Sequence, residues 1–176
     1  RYIGDWSSDV CSSDLGAVPE AAERASRYSE GFSQIEPILR MPAEATPARA
    51  KALAAACELA DWRGDYVRAA ELGEAAAAAW DALGAGNGLA DALFVWSSAT
   101  LNRGDVSAAE ALGQRTLALS QELGYGWGAS NGFGLLGVVA YARGDLTEAS
   151  RLMEAALPLV RAAGGLYVVG TERHES

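Results

Sequence analysis

The sequence predicts an all-α protein built as an array of helical hairpins, and three observations carry that prediction. The tripeptide Arg-Gly-Asp occurs at Arg63-Gly64-Asp65, Arg103-Gly104-Asp105 and Arg143-Gly144-Asp145, each copy 40 residues after the last. Other columns keep the same period, among them Ala69, Ala109 and Ala149; Leu72, Leu112 and Leu152; and Gly84, Gly124 and Gly164. Between these landmarks apolar residues recur at spacings of three, four and seven, as in a helix that buries one face. A fixed period of about 20 to 50 residues marks a repeat array. Arg-Gly-Asp also occurs in integrin ligands, but here a helix-joining turn is the better reading. Glycine takes the left-handed conformation that ends one helix. The aspartate beside it accepts N–H groups that open the next.

The elements follow in order. Residues 1–18 are set apart as a disordered segment without helical or strand periodicity. Within them, Gly4 to Leu15 resembles the in-frame translation of a sequencing adapter, and the chain opens on Arg1 rather than methionine. The segment reads as an artefact joined to a truncated gene. Residues 19–47 hold a partial repeat helix and a connector. Tyr28, Phe32, Ile35 and Leu39 mark the helix, Pro37 is expected to kink or end it, and Met41 to Pro47 form the link.

Three units fill 48–164, at 48–87, 88–127 and 128–164. Their first helices are expected at about 48–62, 88–102 and 128–142, and their second at about 65–83, 105–123 and 145–163. The second helices carry apolar stripes: Tyr66 to Leu83, Val106 to Leu123, and Leu146, Ala149, Leu152, Ala156, Leu157 and Val160. Asp145 and Glu148 form a pair like a capping box. Pro158 removes the hydrogen bond to Glu154, so a bend or early fraying is expected there. Residues 165–176 begin another unit, and no polar capping helix follows, as in a truncated fragment.

Composition removes several function classes. The net charge is −9 with basic residues scattered, so no basic stripe exists for direct nucleic-acid contact. No apolar run is long enough to cross a membrane, and no signal peptide opens the chain. His174 is the only histidine, and Cys11 and Cys57 the only cysteines, which disfavours zinc sites, disulfide frameworks and histidine triads. A reducing, cytoplasmic setting fits this usage. Lys51, the only lysine, lacks the glycines of a phosphate loop. Gly132, Gly134 and Gly137 spell Gly-x-Gly-x-x-Gly, but within a helix and with no preceding strand. No enzyme activity, metal or cofactor is expected. Carboxylate pairs such as Glu71 with Glu74 read as solvated helix faces, and Cys57 as a packing residue.

The turns carry a family resemblance. Gly64-Asp65-Tyr66-Val67-Arg68-Ala69 resembles the tetratricopeptide repeat, whose turn and second helix often read Gly-Asp-Tyr-x-x-Ala, and residues 104–109 and 144–149 follow. The family places a small residue 12 positions before that alanine, here Cys57, Ser97 and Gly137, and another seven after, here Ala76, Thr116 and Ala156. Where the family ends its second helix with proline stand Asp81, Gln121 and Arg161, so the helix continues and the period lengthens. The resemblance implies a right-handed helical-hairpin solenoid of about three repeats with partial units at both ends. This long, alanine-rich form resembles the repeat region of large bacterial regulators that carry an ATP-binding domain and a LuxR-type DNA-binding domain. It implies a sensor or interaction arm. A repeat segment of a multidomain enzyme, such as a cyclase or kinase, is the other reading.

In such arrays the first helices line the concave side. The resemblance therefore implies groove positions at Lys51, Ala54, Glu58, Asp61 and Trp62; at Asp91, Phe94, Ser98, Leu101 and Asn102; and at Asn131, Gly134, Val138, Tyr141 and Ala142. The expected partner is a neutral to basic protein or peptide segment, anchored by Phe94 and Tyr141 and steered by Asp61 and Asp91. Trp80 and Trp96 read as core, whereas Trp62 and Trp127 stand near helix ends where they can line a groove.

Overall fold

The computed structural model describes residues 30–40, apart from 32 and 34, and residues 44–162. Expectations placed on residues 1–29 and 163–176, including the adapter-like segment and Gly164, lie outside the described residues. Six long helices follow one another: α1 (Pro47–Trp62), α2 (Tyr66–Ala82), α3 (Gly86–Asn102), α4 (Val106–Glu122), α5 (Gly126–Ala142) and α6 (Leu146–Ala162). Helical residues at 35–39 precede them, and Pro37 lies inside this stretch rather than ending it. The Arg49 guanidinium ties it to α1 by donating to the carbonyls of Ile38 and Leu39 at 3.1 and 3.2 Å.

Each pair of long helices is joined by three residues with glycine in the middle. In the first link the Gly64 N–H donates to Asp61 O at 2.9 Å and the Asp65 N–H to Ala60 O at 2.9 Å. Those two bonds satisfy carbonyls that the helix end leaves open, and they require glycine at a positive φ, here 80°. The pattern recurs at Gly84, Gly104, Gly124 and Gly144. Links within a unit and between units thus use the same turn. Two 17-residue helices and two such links fill the 40-residue period.

The two kinds of link differ in how they start the next helix. Within a unit, Asp65, Asp105 and Asp145 each accept from the backbone N–H three residues on, at 3.2, 3.1 and 3.0 Å. Between units the N-caps are Ala85 and Tyr125, which provide no side-chain cap. There the first helices begin at Gly86 and Gly126, two residues ahead of the expected starts at 88 and 128. The capping box is only half formed, because the Glu148 carboxylate turns to Arg151 at 2.6 Å instead of reaching back. Helix α6 also continues through Pro158 to Ala162, so the expected early fraying is absent. A proline so near a helix end removes only one bond of the last turns.

Small residues set the distance between helices. The expected crossing positions Cys57, Ser97 and Gly137, Ala69, Ala109 and Ala149, and Ala76, Thr116 and Ala156 are all buried. At one crossing the Ser97 hydroxyl donates to Ala109 O at 2.6 Å, so the polar atom left by a small side chain is satisfied. Burial, followed by the nearby Asp61 and Glu58 charges, pushes the Cys57 thiol up to about 12, which keeps it protonated and unreactive. Trp80 and Trp96 pack against the core, as expected. Glycines admit them: a Cβ on Gly73 would stand 2.7 Å from Trp96 Cα, and one on Gly88 would meet the Trp80 ring.

Helix α1 touches α3 and α3 touches α5, whereas no comparable contact joins α2 to α4 or α4 to α6. Crowding on one side and splaying on the other put the first helices on the inner face of the array.

Two glycines of the Gly-x-Gly-x-x-Gly string test this packing within one helix. A Cβ at Gly132 would stand 2.9 Å from Leu117 Cα, whereas one at Gly134 meets nothing. Gly132→Ala is expected to destabilise the protein by about 1–3 kcal/mol through overpacking. Gly134→Ala is expected to stabilise it by about 0.5–1 kcal/mol through helix propensity. Chemical denaturation of both variants checks the pair, and shifts of the same sign would refute the assigned register.

Candidate interaction surface

The inner face is built from side chains one helical turn apart on α1, α3 and α5, so its residues form rows across the units. Its first region is acidic. Glu58 on α1 stands between Asp61 on its own helix and Asp91 on α3, and Lys51, Ala55, Trp80 and Val95 complete a hollow of about 430 Å³ around Glu58 and Asp91. Asp61 accepts from the Asn102 amide with both carboxylate oxygens at 3.0 Å. Asp91 accepts from the Tyr125 hydroxyl at 3.0 and 3.2 Å. The first bond crosses from one unit to the next and the second ties α3 to the residue that caps α5, so residues expected to steer a partner also fix the register between successive first helices.

Desolvation is the main reason the Asp61 and Asp91 carboxyls lie above their ordinary range, and the Asn102 and Tyr125 bonds oppose it only in part. Glu58 is raised by desolvation, then by repulsion from Asp61 and Asp91. Burial and the Asp91 charge push the Tyr125 phenol up to about 12. Lys51 makes no ion pair with these carboxylates.

A second region is apolar. Phe94 and Ser98 on α3, Trp127, Asn131, Gly134 and Val138 on α5, and Met153, Leu157 and Val160 on α6 line a groove of about 600 Å³, with Arg161 at its end. Phe94 packs against two core clusters while one edge faces this groove, so it acts in both. Tyr141 and Trp62, at the ends of α5 and α1, are 58% and 69% exposed. Leu101 does not line the face. It is 7% exposed and packs with Ala109, Leu135 and Val139, because its position turns it toward α4 and α5.

Of the α6 residues of the groove, Leu157 and Val160 were expected in the core stripe of their unit, as was Leu146, which is 64% exposed. Leu157 is instead 48% exposed and Met153 44%. The 40-residue register carries the signal. Leu157 and Val160 occupy the columns of Leu117 and Ser120, which lie against α5 across the boundary between units. A residue that packs between units has no neighbour on the last unit described.

Array and surface together define a helical-hairpin repeat protein. Compared with known proteins, the chain matches no family model and no curated protein. It is similar in fold to the crystal structure of BtubC (BKLC) from P. vanneervenii, with a TM-score of 0.68 and 22% identity. The match covers 88% of this chain, which spans 64% of the other's length. At that identity the likeness concerns the fold alone. Among the described residues no helix is long and apolar enough to cross a membrane.

The three raised carboxyls set a pH dependence. A folded-state pKa above the unfolded value means that the folded protein holds more protons, so stability falls as pH rises through the folded values. These groups therefore make the protein more stable at about pH 5 than at pH 7, given ordinary carboxyl values near 4. Glu58→Gln removes the central charge and is expected to raise the melting temperature at pH 7 and flatten its fall between the two pH values. Melting scans at both pH values check this, and a lower melting temperature for the variant at pH 7 would refute the repulsive role.

Proposed function

We propose that this chain is a non-enzymatic scaffold that binds a segment of another protein along the inner face of α1, α3 and α5. The observation that carries the reading is the arrangement of that face. An apolar hollow edged by Phe94 and Trp127 adjoins carboxylates whose charges are poorly solvated and make no ion pair with Lys51 beside them. Approach of a cationic side chain relieves that repulsion, so the favoured partner is a neutral to basic segment with apolar residues that enter the hollow. Such use of a concave face accords with the tetratricopeptide-like turns at Gly64-Asp65, Gly104-Asp105 and Gly144-Asp145. The 40-residue, alanine-rich period supports placing the scaffold in the cytoplasm as the interaction arm of a larger ATP-dependent regulator of the LuxR type. The coding sequence on either side tests that placement: a phosphate loop upstream and a helix-turn-helix downstream support it, and a catalytic domain overturns it.

The binding face is tested with a displayed peptide library selected on the intact chain. Selected peptides are expected to carry lysine or arginine beside apolar residues. Tyr141→Ala removes an exposed aromatic and is expected to weaken them about tenfold with unchanged circular dichroism. Peptides that are acidic, or indifferent to both Tyr141→Ala and Glu58→Gln in fluorescence anisotropy, would overturn this face as the site.

A further inference from the structure

We propose that the hollow between α1 and α3 is an arginine pocket, which takes one guanidinium of the partner segment between the Glu58 and Asp91 carboxylates and against the Trp80 indole. The assignment deepens the scaffold reading and rests on it. The hollow lies between successive units, with walls from α1, α2 and α3, rather than at an open end of the array. Small side chains, Ala54, Ala55 and Ala92, leave the space open. Trp80 borders it with an indole whose fused-ring atoms lie against Gly88. Glu58 and Asp91 supply two carboxylates from facing helices. Glu58 accepts no hydrogen bond among the described residues, and both oxygens of Asp91 share one donor, the Tyr125 hydroxyl. Each carboxylate therefore keeps lone pairs for a donor that enters the hollow.

The next unit has the same fold without this composition. In the same columns stand Phe94 for Ala54, Ser98 for Glu58, Ser120 for Trp80 and Asn131 for Asp91. There a large side chain stands where Ala54 leaves space, and both charges and the indole are gone, yet α3 packs on α5 as α1 packs on α3. Open space, indole and carboxylates thus coincide between α1 and α3 and not between α3 and α5. The charges select a cation. Glu58 is raised first by desolvation and then by repulsion from Asp61 and Asp91, and a bound cation relieves that repulsion. Among the described residues no three carboxylate, histidine or cysteine side chains are grouped to hold a metal ion, so an organic cation fits. A guanidinium suits the walls better than an ammonium. It is planar and weakly hydrated, it packs on an aromatic ring, and its fork of donors can reach two carboxylates at once. Lys51 is the only basic side chain in the lining, and it makes no ion pair. Its charge opposes a second cation and so limits the hollow to one arginine.

The test uses the full chain labelled with fluorotryptophan and read by fluorine NMR, with Trp80→Phe identifying the Trp80 resonance. The probes are N-acetyl arginine amide, its lysine counterpart, and its citrulline counterpart, which keeps the shape without the charge. The arginine probe is expected to shift the Trp80 resonance saturably. The lysine probe is expected to bind about threefold less tightly or worse, and the citrulline probe not to bind. Ala54→Phe fills the space with the side chain found one unit on and is expected to abolish the shift. Glu58→Gln is expected to weaken the arginine probe about fivefold, and Lys51→Met to strengthen it about twofold. If circular dichroism shows that Ala54→Phe does not fold, Glu58→Gln decides. No shift of Trp80 with the arginine probe, equal binding of the three probes, or binding indifferent to Glu58→Gln overturns the pocket. Library peptides that depend on Tyr141 but carry no arginine also overturn it, and they leave the scaffold reading in place. Arginine-probe binding by a chain that selects only acidic peptides overturns the scaffold reading, and with it the assignment of the pocket to a partner segment.

Discussion

Everything in the array depends on how few residues join its helices. A three-residue link with glycine in the left-handed region returns the chain antiparallel and close, because two hydrogen bonds lock the ends of consecutive helices to one geometry. With five such links alike, the helices stack by repetition of a single local rule. Small residues at the crossings then follow as a requirement of the short span, since helices joined so tightly have no room for bulk where they meet. The buried alanines at 69, 109 and 76 and the glycines at 73, 113 and 132 answer that requirement.

Alanine and glycine crossings leave little side-chain detail to hold adjacent units in one register. Polar bonds from one first helix to the next, or to the link that opens it, supply it. The Asp61–Asn102 pair joins α1 to α3 and the Asp91–Tyr125 pair joins α3 to the cap of α5, both at half-buried sites where an unmade bond is costly and a slipped register would break both. The same carboxylates are held in an environment that disfavours their charge, together with Glu58. One set of residues thus contributes specificity to the fold and negative potential to the inner face. These two roles pull against each other, and the raised carboxyl pKa values are the mark of that opposition.

Much of the fold was legible in the residues. The period, the hairpin links, the aspartate caps and the crossing columns at Cys57, Ser97 and Gly137 all depend on contacts within one unit or on backbone geometry at a single glycine. Local chemistry of that kind leaves a local trace. The early starts of α3 and α5 did not, because Gly86 and Gly126 look like breakers in sequence and yet open these helices. Pro158 suggested a bend or early fraying, although one missing bond near a helix end is tolerated.

The inner face was legible as a set of columns but not as a surface. Sequence alone determined that Asp61, Asp91, Phe94, Asn102 and Tyr141 stand on first helices, since helical periodicity and the repeat length place them there, and the resemblance implied that they share one face. Tertiary structure decided which of them meet. It joined Asp61 to Asn102 and Asp91 to Tyr125, buried Leu101, shared Phe94 between core and groove, and exposed Leu157. The physical reason is that periodicity fixes direction around one helix, whereas exposure depends on whether a second helix, a whole repeat away in the chain, lies across it.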